Sequence, residues 1–478
     1  MKQLTCAIAL FLAAQFTHAQ DNCNCLLNLN NFVEKVSNNY AGYADKVNSK
    51  TKDGYFLMVD SLKKRAEIAT DLRTCYNVLE KYRSFFYDKH LQLGADLPAD
   101  TTNNVAEKPT QTAWNKATVL AYFNKNQAKL KDIEGIWTTD GYEVGVVLNE
   151  KTSRFEGVVL AAKNKNFTEG SLKFSSSWLG SGRYPSEYVN GQLKRENIEL
   201  TVVKNAMEVG NYGIWTKQFP ATKDTLTFSQ KTERLGEVQW RMLDKNTLYI
   251  RLKSCNLANK PVLDSLIKLN KEKLKTIPNW VVDFRGNSGG ATDVFKELLP
   301  YLYTKPLIQR GNKHWLTPEN TALLKTFYKE NESVMDAESK AGLLKFFEFE
   351  KNNPNGWHDE GSDTTKYDKV LKFPNRVAVL SDKNNGSSGE TFLIDARGMS
   401  DKVTIFGENS AGYLDYGDIM PNKLLCDKFQ VEIPSRRANY LDYGETYDKT
   451  GYPPDVYIPE TNKDWLKFVF DYWKKGKK

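Results

Sequence analysis

The sequence predicts a multidomain α+β protein, and three observations predict it. The N-terminal part carries helical periodicity, the middle is a run of short strand-like segments, and the C-terminal half alternates strand and helix patterns. Its 478 residues exceed what one hydrophobic core usually organises, so two or three domains are expected on size alone.

The chain opens with Lys2 and an apolar run, LTCAIALFLAA, followed by Thr17-His18-Ala19 and a polar Gln20-Asp21. That order reads as a secretory signal peptide over residues 1–19, cleaved after Ala19. The run is about half of the roughly 20 apolar residues a spanning helix needs, so no membrane span is expected and the mature protein is read as periplasmic or extracellular. Without Cys6 the cysteines are Cys23, Cys25, Cys75, Cys255 and Cys426. One bridge from Cys23 or Cys25 to Cys75 is expected, because the three share one segment of an exported chain. No cysteine and histidine spacing suits a metal, and neither a metal nor a cofactor is expected.

From Leu26 to Ala106 apolar residues recur three and four apart, as in GYFLMVDSLKKRAEIATDLRTCYNVLEKYRSFFYDKH. This predicts a helical N-terminal domain over residues 20–130, interrupted by the linker-like ADLPADTTNNVAEKPTQT. From Gly135 the period changes to short runs rich in Val, Thr, Tyr and Phe between turn residues, predicting an all-β domain over residues 131–236, a barrel or a sandwich, with a lipocalin-like opening at GIW. Over residues 237–478 strands such as NWVVDFRG and RVAVLSD alternate with helices such as ATDVFKELLPYLY and TFLIDARG, predicting an α/β layer domain. Residues 316–372 read as a charged, helical insertion within it. The net charge of +8 is spread along the whole chain with no basic block, which argues against a nucleic-acid partner.

Two turns carry the chemistry. In NWVVDFRGNSGG a buried-looking strand ends in a glycine-rich turn, and such a turn at a helix start exposes backbone N–H groups to negative charge. Gly289 and Gly290 are therefore candidates for one side of an oxyanion hole. After RVAVLSD comes Asn384-Asn385-Gly386-Ser387-Ser388-Gly389-Glu390, a serine at a helix start. Taken alone this is a helix cap, with Glu390 completing a capping box.

Together the two turns resemble the tail-specific, C-terminal-processing serine peptidase family. The elements in order are Asp283-Phe284-Arg285-Gly286-Asn287-Ser288-Gly289-Gly290, then Ser387 three residues before Glu390, then VTIFGENSAG, and finally Gly451-Tyr452-Pro453-Pro454-Asp455-Val456. The resemblance spans residues 238 to 460. It implies a crotonase- or ClpP-like α/β catalytic core, Ser387 as the acylated nucleophile, an oxyanion hole from the Ser388 amide with a Gly289-Gly290 amide, and a peptide or protein substrate.

Where the Ser-Lys branch of that family carries a base lysine, this chain has Asn409-Ser410-Ala411-Gly412-Tyr413. A serine hydroxyl needs a base, and the mature chain offers His90, His314 and His358. His90 lies in Tyr87-Asp88-Lys89-His90-Leu91-Gln92-Leu93, which resembles the D-G-H-T-x-L segment of the tricorn-like, histidine-using branch, so His90 is the expected base and His314 and His358 are read as residues of an exposed insertion. The same resemblance assigns the acidic partner to Asp448, with Glu445 second and Asp88, Asp415 and Asp418 open. The sequence thus points to an exported serine peptidase working through an acyl-enzyme on Ser387. The alternative is a non-catalytic protein binding lipid, glycan or peptide on the same fold.

Overall fold

The computed structural model describes residues 23–97, 109–180, 182–210, 212–221, 235–333, 335, 337–462 and 464–476. The expected signal peptide and most of the linker-like segment lie outside them. The chain forms two compact units.

The first unit combines residues 23–97 with Lys313–Asp359 and Tyr416–Arg437. Its helix Cys25–Asn39 starts where the Asn24 side chain accepts the Leu27 amide, and it buries the stripe Leu29, Phe32 and Val36. Helix Leu72–Ser84 starts on Asp71, which accepts the Thr74 amide at 2.8 Å, and buries Cys75, Val78, Leu79 and Tyr82. Phe32 and Tyr82 meet edge to face at 5.1 Å, and Cys25 is bridged to Cys75. A second bridge, Cys23 to Cys426, was not expected. Cys255 is free and buried.

The charged insertion folds as helices Pro318–Asn331 and Ala337–Asn352 between strands Asn312–Leu316 and Gly356–Asp359. These strands join Gln92–Ala95, Tyr416–Lys423 and Phe429–Ala438 in a five-stranded sheet. His314 and His358 are therefore not the exposed residues the sequence suggested. They face each other across an antiparallel ladder, half-buried, and each packs edge to face against Phe346 at 5.4 Å. A strand pairing brought together by chain segments far apart leaves no local pattern, and the charges around it read as surface.

The second unit holds the β domain and the α/β layer. Eight strands from Gly135–Thr139 to Ile214–Phe219 each pair with the next, and the last closes on the first, so the β domain is a closed antiparallel barrel and not a sandwich. Trp137, Phe174, Met207 and Trp215 fill it. Helix Lys116–Asn126 covers one side by packing Val119 and Phe123 on Ile136, Val147 and Val158. Lys173 lies wholly buried in the barrel, its Nζ 4.1 to 4.6 Å from the ring centres of Phe167, Tyr142 and Tyr188 and donating to the Val189 carbonyl at 2.6 Å. A buried ion pair, Lys253 to Glu208 at 2.8 Å, joins the barrel to the layer domain.

The layer domain is a six-stranded sheet in the order Val238–Asp244, Thr247–Leu252, Asn279–Asp283, Arg376–Ser381, Val403–Gly407, Val456–Tyr457. All pairs after the first are parallel. Parallel strands covered on both faces must be apolar on both. Trp280, Val282, Val377 and Val379 accordingly pack with helices Lys260–Leu269 and Ser388–Met399, while Val281, Ala378 and Leu380 pack with the C-terminal helix Trp465–Lys474. The carboxyl ends of the two central strands, Asn279–Asp283 and Arg376–Ser381, lie side by side, and the two motif turns leave from them.

Candidate active site

The two turns are joined by main-chain bonds that continue the sheet. The Phe284 amide donates to the Leu380 carbonyl at 2.9 Å and the Gly386 amide to the Asn287 carbonyl at 2.8 Å. Below them Asp283 is wholly buried and accepts from Arg285 and from the Tyr249 hydroxyl. Burial works against its charge, but the Arg285 guanidinium prevails and holds the carboxyl far below the usual carboxylate range. The turns come so close that a Cβ on Gly289 would stand 2.7 Å from the Ser387 Cβ. Gly290, at φ 135°, leaves a Cβ no room beside the Cys255 carbonyl oxygen, 2.2 Å away.

Ser387 precedes helix Ser388–Met399 with φ 54° and ψ −120°. A helix-capping serine sits in the β region and takes the amide two or three residues on with its side chain. Ser387 has instead a backbone conformation that suits glycine and costs a side-chain-bearing residue on the order of 1–3 kcal/mol. Strain of this kind at a sharp strand-to-helix turn is how a nucleophile is lifted out of the chain's path. Ser387 is half-buried, whereas Ser388, Gly389 and Glu390 are buried.

The expected capping box is present between Ser387 and Glu390, and within it the Ser387 amide donates to Glu390 Oε2 at 2.7 Å. What the capping-box reading missed is the rest of that carboxylate. Glu390 also accepts from the Ser410 hydroxyl, from the Gly412 amide at 2.7 Å and from the Tyr413 amide at 2.8 Å. Burial pushes its pKa up, and the four donors pull against that. Since donors alone surround it, the carboxylate form is the one the site is built for. The turn that lacks a lysine is thereby tied to the amide of the candidate nucleophile.

Of the two glycines proposed as oxyanion donors, Gly289 has its amide engaged inside the turn, donating to Asn287 Oδ1 at 2.8 Å. Cys255 pairs with the residues on either side of Gly290, its amide donating to the Gly289 carbonyl and its carbonyl accepting from the Ala291 amide, both at 2.8 Å. The N–H and C=O of Gly290 therefore face away from Cys255, and that C=O accepts from the Ser388 hydroxyl. Gly290, exposed, is the glycine positioned to offer an amide beside Ser388.

In the first unit, His90 lies in a loop six residues beyond the end of helix Leu72–Ser84 and just before strand Gln92–Ala95, so it does not cap that helix. Its amide donates to Asp88 Oδ1 at 2.8 Å, and Asp88 is held by the Tyr40 hydroxyl at 2.8 Å. The imidazole Nδ1 lies 2.6 Å from the Tyr416 carbonyl oxygen. A carbonyl can only accept, so Nδ1 carries the proton and Nε2 is the basic nitrogen. Burial lowers the pKa of the ring, opposed by the Asp88 carboxylate and the Tyr416 carbonyl.

The His90 Nδ1 hydrogen thus goes to a backbone carbonyl, which fixes the tautomer without adding charge. Asp448, buried in the second unit, accepts the Asp415 amide at 3.0 Å. Glu445 pairs with Arg310. Asp415 accepts from Tyr440, Thr446 and the Tyr447 amide, and Asp418 pairs with Arg436 and His314.

Residues 246–458 match the model of peptidase family S41. This region is an S41 peptidase domain. Family S41 peptidases are serine peptidases, and a protein or peptide substrate follows from membership. Among solved structures, a point mutant of CPAF is 11% identical, with 95% of this chain and 96% of that chain covered and a TM-score of 0.52, which shows the fold. The photosystem II D1 C-terminal processing protease is 13% identical, covering 93% and 95% of the two chains at a TM-score of 0.36, and a lipoprotein from Streptococcus agalactiae is 10% identical, covering 95% and 97% at 0.39. No curated protein matches the chain. In the S41 domain the closing G-x-x-P-D motif acts as a fastener: Asp455 accepts the Ile405 amide at 2.7 Å and pairs with Arg397, which also donates to the Pro453 carbonyl. Among the described residues no helix is long and apolar enough to cross a membrane.

Proposed function

We propose that the protein is an exported serine peptidase in which Ser387 is acylated and His90 is the base. Ser387 Oγ attacks a peptide carbonyl carbon while its proton passes to His90 Nε2. The oxyanion is met by the Ser388 and Gly290 amides, the amine leaves with the proton from His90, and water then hydrolyses the ester. The observation that carries this reading is the strained backbone of Ser387, φ 54° and ψ −120°, where the chain turns from strand to helix. The Nδ1–H tautomer of His90 supports its role as base. Two disulfides, Cys23–Cys426 and Cys25–Cys75, support an oxidising compartment and hence export.

The test is peptide hydrolysis by wild type, Ser387→Ala and His90→Ala, each shown to be folded. Both variants are expected to lose activity by about a thousandfold or more. A folded Ser387→Ala protein that hydrolyses peptides as fast as wild type overturns the reading. A folded wild type that hydrolyses none, yet captures lipid or glycan, favours a binding protein on this fold.

A further inference from the structure

We infer that Asn287 is a positioning residue of the S41 site that holds the glycine turn and the serine turn in one frame, an inference that rests on Ser387 being the nucleophile. Asn287 is wholly buried. Its Nδ2 donates to the Leu252 carbonyl at 3.0 Å, at the end of the neighbouring strand, and lies 3.6 Å from Cys255 Sγ. A carbonyl on one side and an amide on the other leave the side chain one orientation, with Oδ1 accepting the Gly289 amide at 2.8 Å. Its own amide closes the turn onto the Phe284 carbonyl at 3.0 Å, and its carbonyl takes the Gly386 amide at 2.8 Å, one residue before Ser387. A Cβ on Gly389 would stand 3.0 Å from Oδ1, so the same oxygen also packs against the first turn of the helix behind the nucleophile.

One residue therefore touches the sheet, the glycine turn, the serine turn and the helix start. Its particular effect is on the Gly289 peptide group. Oδ1 holds the Gly289 amide inward while the Cys255 amide holds the Gly289 carbonyl at 2.8 Å, and the two bonds together set where the Gly290 amide points relative to Ser387 Oγ. With the side chain removed, the Gly289 amide has lost its acceptor and the turn is held on the Cys255 side alone, while the substrate still meets the same surface. The loss then falls on the transition state and not on ground-state binding.

The experiment measures the second-order rate of fluorophosphonate labelling of Ser387, and kcat and KM on a peptide substrate, for wild type, Asn287→Ala and Asn287→Asp. Asn287→Ala is expected to lower the labelling rate and kcat by about 10–100-fold, with KM changed by about twofold or less. In Asn287→Asp an ionised carboxylate would face the Leu252 carbonyl, whereas a protonated carboxyl can donate to that carbonyl and still accept from Gly289. Its rate relative to wild type is therefore expected to rise as the pH is lowered, a signature that general loosening of the fold would not produce. If Asn287→Ala does not fold, this pH-dependent ratio decides.

Wild-type labelling rate and kcat in folded Asn287→Ala overturn the inference, as does a pH-independent ratio for Asn287→Asp. If wild type labels at Ser387 and Asn287→Ala labels equally fast, the inference about Asn287 alone fails. A folded wild type that does not label at Ser387 removes the nucleophile reading and this inference with it.

Discussion

Replacing Ser387 by glycine and by alanine separates a strained nucleophile from a helix cap by stability alone. At φ 54° and ψ −120° the Cβ of residue 387 is what makes the backbone costly, at about 1–3 kcal/mol. Glycine removes that Cβ and alanine keeps it. Ser387→Gly is therefore expected to stabilise the protein by about 1–2 kcal/mol, the lower part of that range because glycine also gives the unfolded chain more freedom. Ser387→Ala is expected to change stability by less than about 0.5 kcal/mol, since the bond from the residue's amide to Glu390 is made by the main chain and survives. A helix cap behaves in the opposite way: loss of the side chain to alanine costs about 1 kcal/mol, and glycine costs a few tenths. The assay is urea unfolding of the three proteins followed by tryptophan fluorescence, with equal slopes as the condition for comparing midpoints. A Ser387→Ala protein destabilised by about 1 kcal/mol beside an unstabilised Ser387→Gly would refute the strain argument, whatever the activities.

The Glu390 clasp gives a graded series. Glu390→Gln can turn its amide nitrogen toward Ser410 and Gly412, leaving one buried amide without an acceptor at about 1–3 kcal/mol, while Glu390→Ala leaves the amides of Ser387, Gly412 and Tyr413 without one. Unfolding should therefore rank wild type above Gln and Gln well above Ala, and equal losses in the two variants would contradict the geometry. The pH dependence of kcat/KM tests His90. Because burial lowers its pKa and the base must be neutral, the acidic limb should have its midpoint below the ordinary histidine value of 6.5, and a midpoint above it would be inconsistent with this base. Lys173 predicts an alkaline gain in stability. Burial depresses its folded pKa to about 7 from 10.5, so the unfolded chain binds more protons between those values and stability rises with pH through that window. Lys173→Met should raise the melting temperature at neutral pH and flatten that rise, and an unchanged slope would show that the lysine is not the cause.

What could be read in the sequence was whatever has a local period or a motif in register. The helical stripe around Phe32 and Tyr82, the strands ending in Asp283 and Ser381, and the order of the four S41 motifs all lie in short contiguous windows. The β domain was legible as strands but not as a barrel, because closure of Gly135–Thr139 on Ile214–Phe219 changes no residue's alternation. The Cys23–Cys426 bridge spans 403 residues and has no local trace, and the same is true of the sheet that pairs His314 with His358. At the site, the spacing of Ser387 and Glu390 led to a capping box, and the structure has one. The other three donors on Glu390 come from the 410–413 turn, which only the folded sheet brings there. The two glycines were equivalent as letters. Asn287 distinguishes them by engaging the Gly289 amide, and an asparagine in a polar turn offers no hint of that until its neighbours are known.

The most direct test of the account is to treat the folded protein with a fluorophosphonate and map the adduct by peptide mass spectrometry. A single modified residue is expected, Ser387, whose labelling is slowed by His90→Ala and lost when the protein is unfolded first. An adduct confined to another serine, or a folded and proteolytically active protein that carries none, would contradict it.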